Sequence, residues 1–169
     1  MDEPLVDPAE VIRACRDARL TVAVAESLTA GLLCARLADV PGASVVLRGG
    51  VVAYATDLKA SLLGVDQHLL DDVGPVSADV AGQLACGVRD RLQADIGVAT
   101  TGVAGPEPQG GRQPGTVFVA VAAGPDERVR ALHLDGGRAD VRGAAVEAAL
   151  ALLLEAVGAA AEHPFRAGS

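Results

Sequence analysis

Tryptophan is absent from this 169-residue chain, and tyrosine and phenylalanine number one and two. Three aromatics (Tyr54, Phe118 and Phe165) are too few for a platform on which nucleic-acid bases stack. Positive charge is also short. Lys plus Arg is 14 against 22 for Asp plus Glu, a formal net charge of −8. An acidic chain without a basic tract repels a phosphate backbone, so no nucleic acid partner is expected. Cysteine is scarce and odd in number: Cys15, Cys34 and Cys86 lie far apart and form no CxxC pair. That argues against a disulfide framework, fits a reducing cytoplasmic setting, and makes each thiol a small buried hydrophobe. His68, His133 and His163 share no ligand-like spacing with one another or with a cysteine, so no metal site is expected. The longest apolar run, Ala148 to Leu154, is far short of the roughly 20 residues that span a bilayer. The acidic start, Met1-Asp2-Glu3-Pro4, lacks the order of a signal peptide, so no membrane partner is expected.

What remains is a chain that is 50% hydrophobic, with 20 glycines and only 21% charged residues. Its length suits one domain that buries roughly 70% of its unfolded surface. Helical spacing of Val11, Ile12 and Cys15 predicts a helix over 9–18, and Thr21 to Ala25 reads as a short strand. A helix is expected to begin within Glu26 to Gly31 and run to about Asp39, where Pro41-Gly42 stops it. Val45 to Thr56 reads as one or two strands, kinked at Gly49-Gly50, and Thr56-Asp57 offers a cap for a short helix through Lys59 and Leu63. Ser77 is expected to cap a helix to about Leu92 after the Gly74-Pro75 turn. A strand over 96–100 then leads into a Gly/Pro-rich loop from Gly102 to Gly115. Strands over 116–122 and 129–134, joined by Gly124-Pro125-Asp126, predict a hairpin, and a last helix spans about 139–160 with a frayed tail after Glu162. Strands separated by helices imply an α/β layered fold with an antiparallel addition.

Three segments at predicted strand ends hold candidate chemistry, because ligands of open α/β sheets bind beyond the strand carboxyl ends. In Glu26-Ser27-Leu28-Thr29-Ala30-Gly31, a serine on a strand-to-helix turn holds its hydroxyl beside free amides that suit an oxyanion or a phosphate. Read more plainly, Ser27 or Thr29 is a helix N-cap. The second segment holds Tyr54 and Lys59, the only tyrosine and the only lysine; the other 13 basic residues are arginine. Lysine does what arginine cannot, losing its proton near neutral pH when burial lowers its pKa. The rival reading is a surface lysine on a short helix. The third segment runs from Thr100-Thr101-Gly102-Val103-Ala104-Gly105 to Gly115-Thr116, and its small residues allow close backbone approach to an anion. It lacks both the Walker A and the GxGxxG pattern, and a surface loop is its plain reading. Arg138 and Arg142, four apart on one helix face, either bind phosphate or are solvated.

In combination these segments resemble the CinA C-terminal domain family. The resemblance is carried by Ala25-Glu26-Ser27-x-Thr29-x-Gly31, Val40-Pro41-Gly42-Ala43-Ser44 and Gly50-x-Val52-x-Tyr54-x-Thr56-x-x-Lys59. It continues through Leu63-Gly64-Val65, Gly74-Pro75-Val76-Ser77, Thr101-Gly102-Val103-Ala104-Gly105-Pro106, Pro114-Gly115-Thr116-Val117 and Gly137-Arg138-x-x-x-Arg142, covering about residues 8 to 158. It implies a three-layer α/β/α sandwich with a mixed, mainly parallel sheet, in the family's stand-alone form. It further implies a nicotinamide-nucleotide amidase that turns nicotinamide mononucleotide into nicotinic acid mononucleotide and ammonia, without a metal or other cofactor. Ser27 matches the family's nucleophile, and Tyr54 and Lys59 match the groups that activate it. Thr29, Ala30, Gly31, Thr101, Gly102 and Gly105 would line the site of this small nucleotide substrate, with Arg138 or Arg142 for its phosphate. A homo-oligomer is also implied. The chain departs from the family where Leu28 and Ala30 replace the Cys and Gly of Cys-Thr-Gly-Gly, where Asp57 replaces Asn, and where Gly137 replaces an acidic residue. A catalytically silent nucleotide-binding or partner-binding domain, and an amidase for another small carboxamide, are the rival readings.

Overall fold

Three strands of this chain alternate between a branched or bulky residue and a small one, and that alternation organises the structure. The computed structural model describes residues 5–163. Its elements are α1 (Pro8–Asp17), β1 (Val22–Glu26), α2 (Leu32–Ala38), β2 (Leu47–Val52), α3 (Thr56–Leu63), α4 (Gln67–Val73), α5 (Ala78–Arg91), β3 (Ile96–Gly102), β4 (Thr116–Ala123), β5 (Asp126–His133) and α6 (Arg138–Glu162). The strands form one sheet in the order β2-β1-β3-β4-β5. β1 pairs in parallel with β2 and β3, while β4 is antiparallel to both of its neighbours, β3 and β5. Four strands therefore share one direction and β4 alone is reversed, so the sheet is mixed and mainly parallel.

Successive strand side chains point to opposite faces. Val22, Val24, Ile96, Val98, Val117, Val119 and Val121 face one way and join α1, α2 and α6 in the larger core cluster. Ala23, Ala25, Ala99, Ala120 and Ala122 face the other way, into a cluster with α3, α4 and α5. The small face lets a helix backbone lie directly on the sheet: a Cβ added at Gly97 would overlap the carbonyl of Ala85 on α5. Helices on both faces make the three-layer α/β/α sandwich. α6 reaches a mean hydropathy of 1.8 over 18 residues, enough with its length to cross a bilayer; half of that window is buried in the protein, including Ala149, Leu150, Leu152 and Leu153.

Several expectations need correction. The helix after β1 starts at Leu32 rather than within 26–31, because Ala30 and Gly31 take positive φ angles of 49° and 101°. Neither Ser27 nor Thr29 caps it; Gly31 holds the cap position. Thr56 and Asp57 lie inside α3, whose N-cap is Ala55 with no side-chain bond. Residues 43–45 form a 3₁₀ turn, leaving a single strand, β2, and the chain adds a helix, α4, which the sequence reading omits. Ser77 does cap α5, its Oγ accepting from the Val80 N–H at 3.2 Å. Cys15 is fully buried, but Cys34 and Cys86 are only half-buried, so only the first is a core hydrophobe. Of the tail expected to fray after Glu162, residues 164–169, Phe165 among them, lie outside the described residues.

Candidate active site

The chain runs from β1 out to β2 on one side and then back past β1 to β3 on the other. Such a reversal opens a crevice at the carboxyl ends of the two central strands. Ser27 follows β1 directly, Tyr54 follows β2, and Thr101 and Gly102 end β3, so three distant segments meet there. The crevice is a cavity of about 300 Å³ lined by Ser27, Tyr54, Lys59, Thr101, Gly105 and Arg138 among others.

Lys59 is 1% exposed on α3, an extreme position for a flexible cation. Its Nζ lies 3.0 Å from Ser27 Oγ, 2.7 Å from the Ala53 carbonyl oxygen and 3.3 Å from that of Tyr54. Every ion pair among the described residues is made by an arginine, so no carboxylate offsets the lysine's charge. Burial consequently pushes its pKa down from 10.5 to about 8. A neutral amine has two N–H bonds and one lone pair. Two donors to the Ala53 and Tyr54 carbonyls leave the lone pair for the Ser27 hydroxyl, which is the arrangement a serine–lysine dyad requires.

The turn carrying Ser27 is held from below by Glu26, itself 2% exposed. Its carboxylate accepts from the Leu33 N–H at 2.8 Å, the Cys34 N–H at 3.1 Å and the Thr29 hydroxyl at 2.7 Å. With its single proton given to Glu26, Thr29 Oγ1 must accept from the Thr100 hydroxyl at 2.8 Å. The amides of Leu28 and Thr29 find no acceptor among the described residues. Across the cavity, the Thr101 hydroxyl donates to the Pro75 carbonyl at 2.7 Å and fixes the Gly74-Pro75 turn as a wall. The Gly/Pro-rich loop folds into a tight turn at its tip, with Gln109 and Arg112 exchanging backbone bonds of 3.0 and 2.9 Å across Gly110-Gly111.

Of the residues singled out in the sequence, Ser27, Tyr54, Lys59, Thr101, Gly102, Gly105 and Arg138 line the cavity. Thr29, Ala30, Gly31 and Arg142 do not. Thr29 is fully buried in the Glu26 network, Ala30 is exposed, and Gly31 is the N-cap of α2. Arg142 donates to the Leu28 and Thr29 carbonyls instead. Tyr54 lies at the mouth, 54% exposed, and its hydroxyl accepts from Arg138 at 2.8 Å; that hydroxyl bonds neither Ser27 nor Lys59, and only the Tyr54 backbone carbonyl meets the lysine. Arg138 also donates to the Gly105 carbonyl at 2.8 Å, spanning the mouth between two loops. Among the departures, Leu28 is buried at the cavity wall, whereas Asp57 is exposed. Pro75, Val76, Glu107 and Gln109 also line the cavity but were not named as site residues from the sequence, although Pro75 and Val76 belong to a quoted motif and Gln109 to the long loop. The Gly74-Pro75 turn and the long loop were visible signals, but nothing in them says which side chains face inward.

Comparison with known proteins gives this geometry its context. The model of the CinA C-terminal domain matches residues 7–157. A CinA-like protein of Frankia casuarinae is 54% identical over 134 residues, covering 79% of this chain and 31% of that protein. A CinA-like protein of Mycobacterium avium is 47% identical, covering 78% of this chain and 32% of that protein. The chain thus spans about a third of the length of the curated relatives it matches. Among solved structures, a competence-damaged protein (CinA) superfamily protein of Klebsiella pneumoniae superposes with a TM-score of 0.87 at 28% identity, covering 90% of this chain and 96% of that one. The competence/damage inducible protein CihA of Agrobacterium tumefaciens gives 0.82 at 34% identity, with 92% and 99% covered. By fold, by sequence and by the placement of its motifs, the chain belongs to the CinA C-terminal domain family.

Proposed function

We propose that this chain is a serine amidohydrolase that deamidates nicotinamide mononucleotide to nicotinic acid mononucleotide and ammonia. One observation carries the reading: Ser27 Oγ and Lys59 Nζ are 3.0 Å apart at the wall of a cavity, and the lysine is buried without a counter-charge. Neutral Lys59 takes the Ser27 proton as Oγ bonds to the carboxamide carbon. The oxyanion that forms is met by N–H groups of the turn after Ser27 or of the 101–105 loop. The C–N bond then breaks, and the Lys59 ammonium returns its proton to the departing amine, giving ammonia and an acyl-serine. Water attacks the ester, Lys59 accepts a water proton, and Ser27 leaves with it as the free hydroxyl. The nucleotide's remaining atoms fill the cavity toward Arg138, whose guanidinium meets the phosphate.

Tyr54 has a different part in this scheme from the one its resemblance implies. Its backbone carbonyl holds Lys59, and its hydroxyl pairs with Arg138 at the mouth. The reading is tested by incubating the protein with nicotinamide mononucleotide and measuring ammonia together with nicotinic acid mononucleotide. Stoichiometric products are expected, lost by about 10³-fold or more in both Ser27→Ala and Lys59→Ala. Binding without turnover would instead establish a silent nucleotide-binding domain. Turnover of a simple carboxamide at the same rate would remove the phosphate from the recognition scheme.

A further inference from the structure

We propose that Arg142 is a positioning residue that sets the conformation of the turn carrying the nucleophile, an inference that rests on reading Ser27 as that nucleophile. Its guanidinium comes from α6, where Nε donates to the Leu28 carbonyl at 2.8 Å and Nη2 to the Thr29 carbonyl at 3.2 Å. These are the first two carbonyls after Ser27. Arg142 is half-buried, does not line the cavity, and belongs to none of the ion pairs among the described residues. Its charge is directed at the backbone of this one turn.

The turn needs such a hold. It precedes the first residue of α2, it contains Ala30 at φ 49°, and the Leu28 and Thr29 amides bond nothing within the described chain. Glu26 grips it from one side through the Thr29 hydroxyl, and Arg142 grips it from the other through two carbonyls. A peptide unit is planar and its C=O and N–H point in opposite directions. Fixing the Leu28 carbonyl therefore fixes the Thr29 N–H in the opposite sense, and the adjacent cation polarises that unit. Without Arg142 the two carbonyls turn to water, the peptide plane is released, and Ser27 Oγ drifts from Lys59. Misplacement on the ångström scale costs about 10- to 100-fold in rate.

The test compares wild type, Arg142→Ala and Arg142→Lys, each melted to verify folding. Two readouts are taken: Ser27 labelling by a fluorophosphonate, scored by intact mass with Ser27→Ala as blank, and deamidation kinetics. Arg142→Ala is expected to label about 10- to 100-fold more slowly, with kcat reduced alike and KM within about 2-fold of wild type. Arg142→Lys, a point charge in place of a fork, falls between. Labelling of Arg142→Ala at the wild-type rate, or a loss confined to KM, overturns the inference. If Arg142→Ala does not fold, Arg142→Lys decides, and wild-type labelling by that variant overturns it. A wild type that labels but leaves nicotinamide mononucleotide intact removes the substrate reading alone, and the labelling rates still decide the role of Arg142. A wild type that does not label at Ser27 overturns both.

Discussion

Lys59 places a titratable amine at the cavity wall with almost none of its surface open to solvent, and its lowered pKa ties the proposed catalysis to stability. With the group at about 8 in the folded protein against 10.5 ordinarily, the unfolded chain binds the extra proton between those values. Stability must therefore rise with pH from about 8 to 10.5, while below about 8 both states are protonated and the whole penalty, about 3 kcal/mol at most, is in force. Urea midpoints of wild type are expected to climb through that window relative to Lys59→Met; parallel pH curves for the two would disprove the burial account. Under the proposed mechanism kcat/KM is expected to rise along a limb near pH 8, since only the neutral amine accepts the serine proton. A flat profile from about pH 6 to 10 would count against that role. Lys59 was legible in the sequence because it stands alone among arginines. The carbonyls of Ala53 and Tyr54 that hold it were not, since every residue carries a carbonyl and only the fold aims these two. The role of Arg142 was hidden for a similar reason: its partners are backbone atoms more than a hundred positions away.

At the scale of elements, the β1–α2 junction is the place where local preference and tertiary need diverge. Ala30 adopts a left-handed conformation that costs an L-residue about 1–2 kcal/mol, and glycine adopts it freely. Ala30→Gly is predicted to stabilise the protein by about 0.5–1 kcal/mol after the extra entropy of an unfolded glycine is counted. That is read as a rise in Tm of about 1–4 °C; a fall would mean that the Ala30 methyl makes a contact worth more than the strain. The same left-handed residues explain why α2 starts later than its composition suggests, since Ala30 and Gly31 keep the segment before Leu32 as a turn. Ser77 was read correctly as a cap because its hydroxyl acts within its own turn. The seven-residue α4 was missed because so short a helix offers barely two periods of pattern.

For the whole molecule, the hairpin of β4 and β5 was legible from its turn, but the order of β2, β1 and β3 was out of reach of the sequence, because parallel partners leave no mark on either strand alone. The alternation of valine with alanine did record which face of the sheet takes the closer helix, and it accounts for a thick core on the α6 side and a thin one under α5. Cys15 lies within the thicker core, fully buried, its thiol pushed up to about 12 by burial. Its alkylation is predicted to occur only through global opening, so its labelling rate should fall in step with the unfolding equilibrium as urea is withdrawn; fast labelling in native buffer would show that α1 detaches by itself. The scarcity of aromatics also has an optical consequence. With no tryptophan and one tyrosine, the near-ultraviolet emission of the native protein comes from Tyr54, and Tyr54 stands at the cavity mouth with its hydroxyl tied to Arg138. Whatever enters the cavity and draws Arg138 away alters the only fluorophore of note, so the protein carries a label-free gauge of its own occupancy.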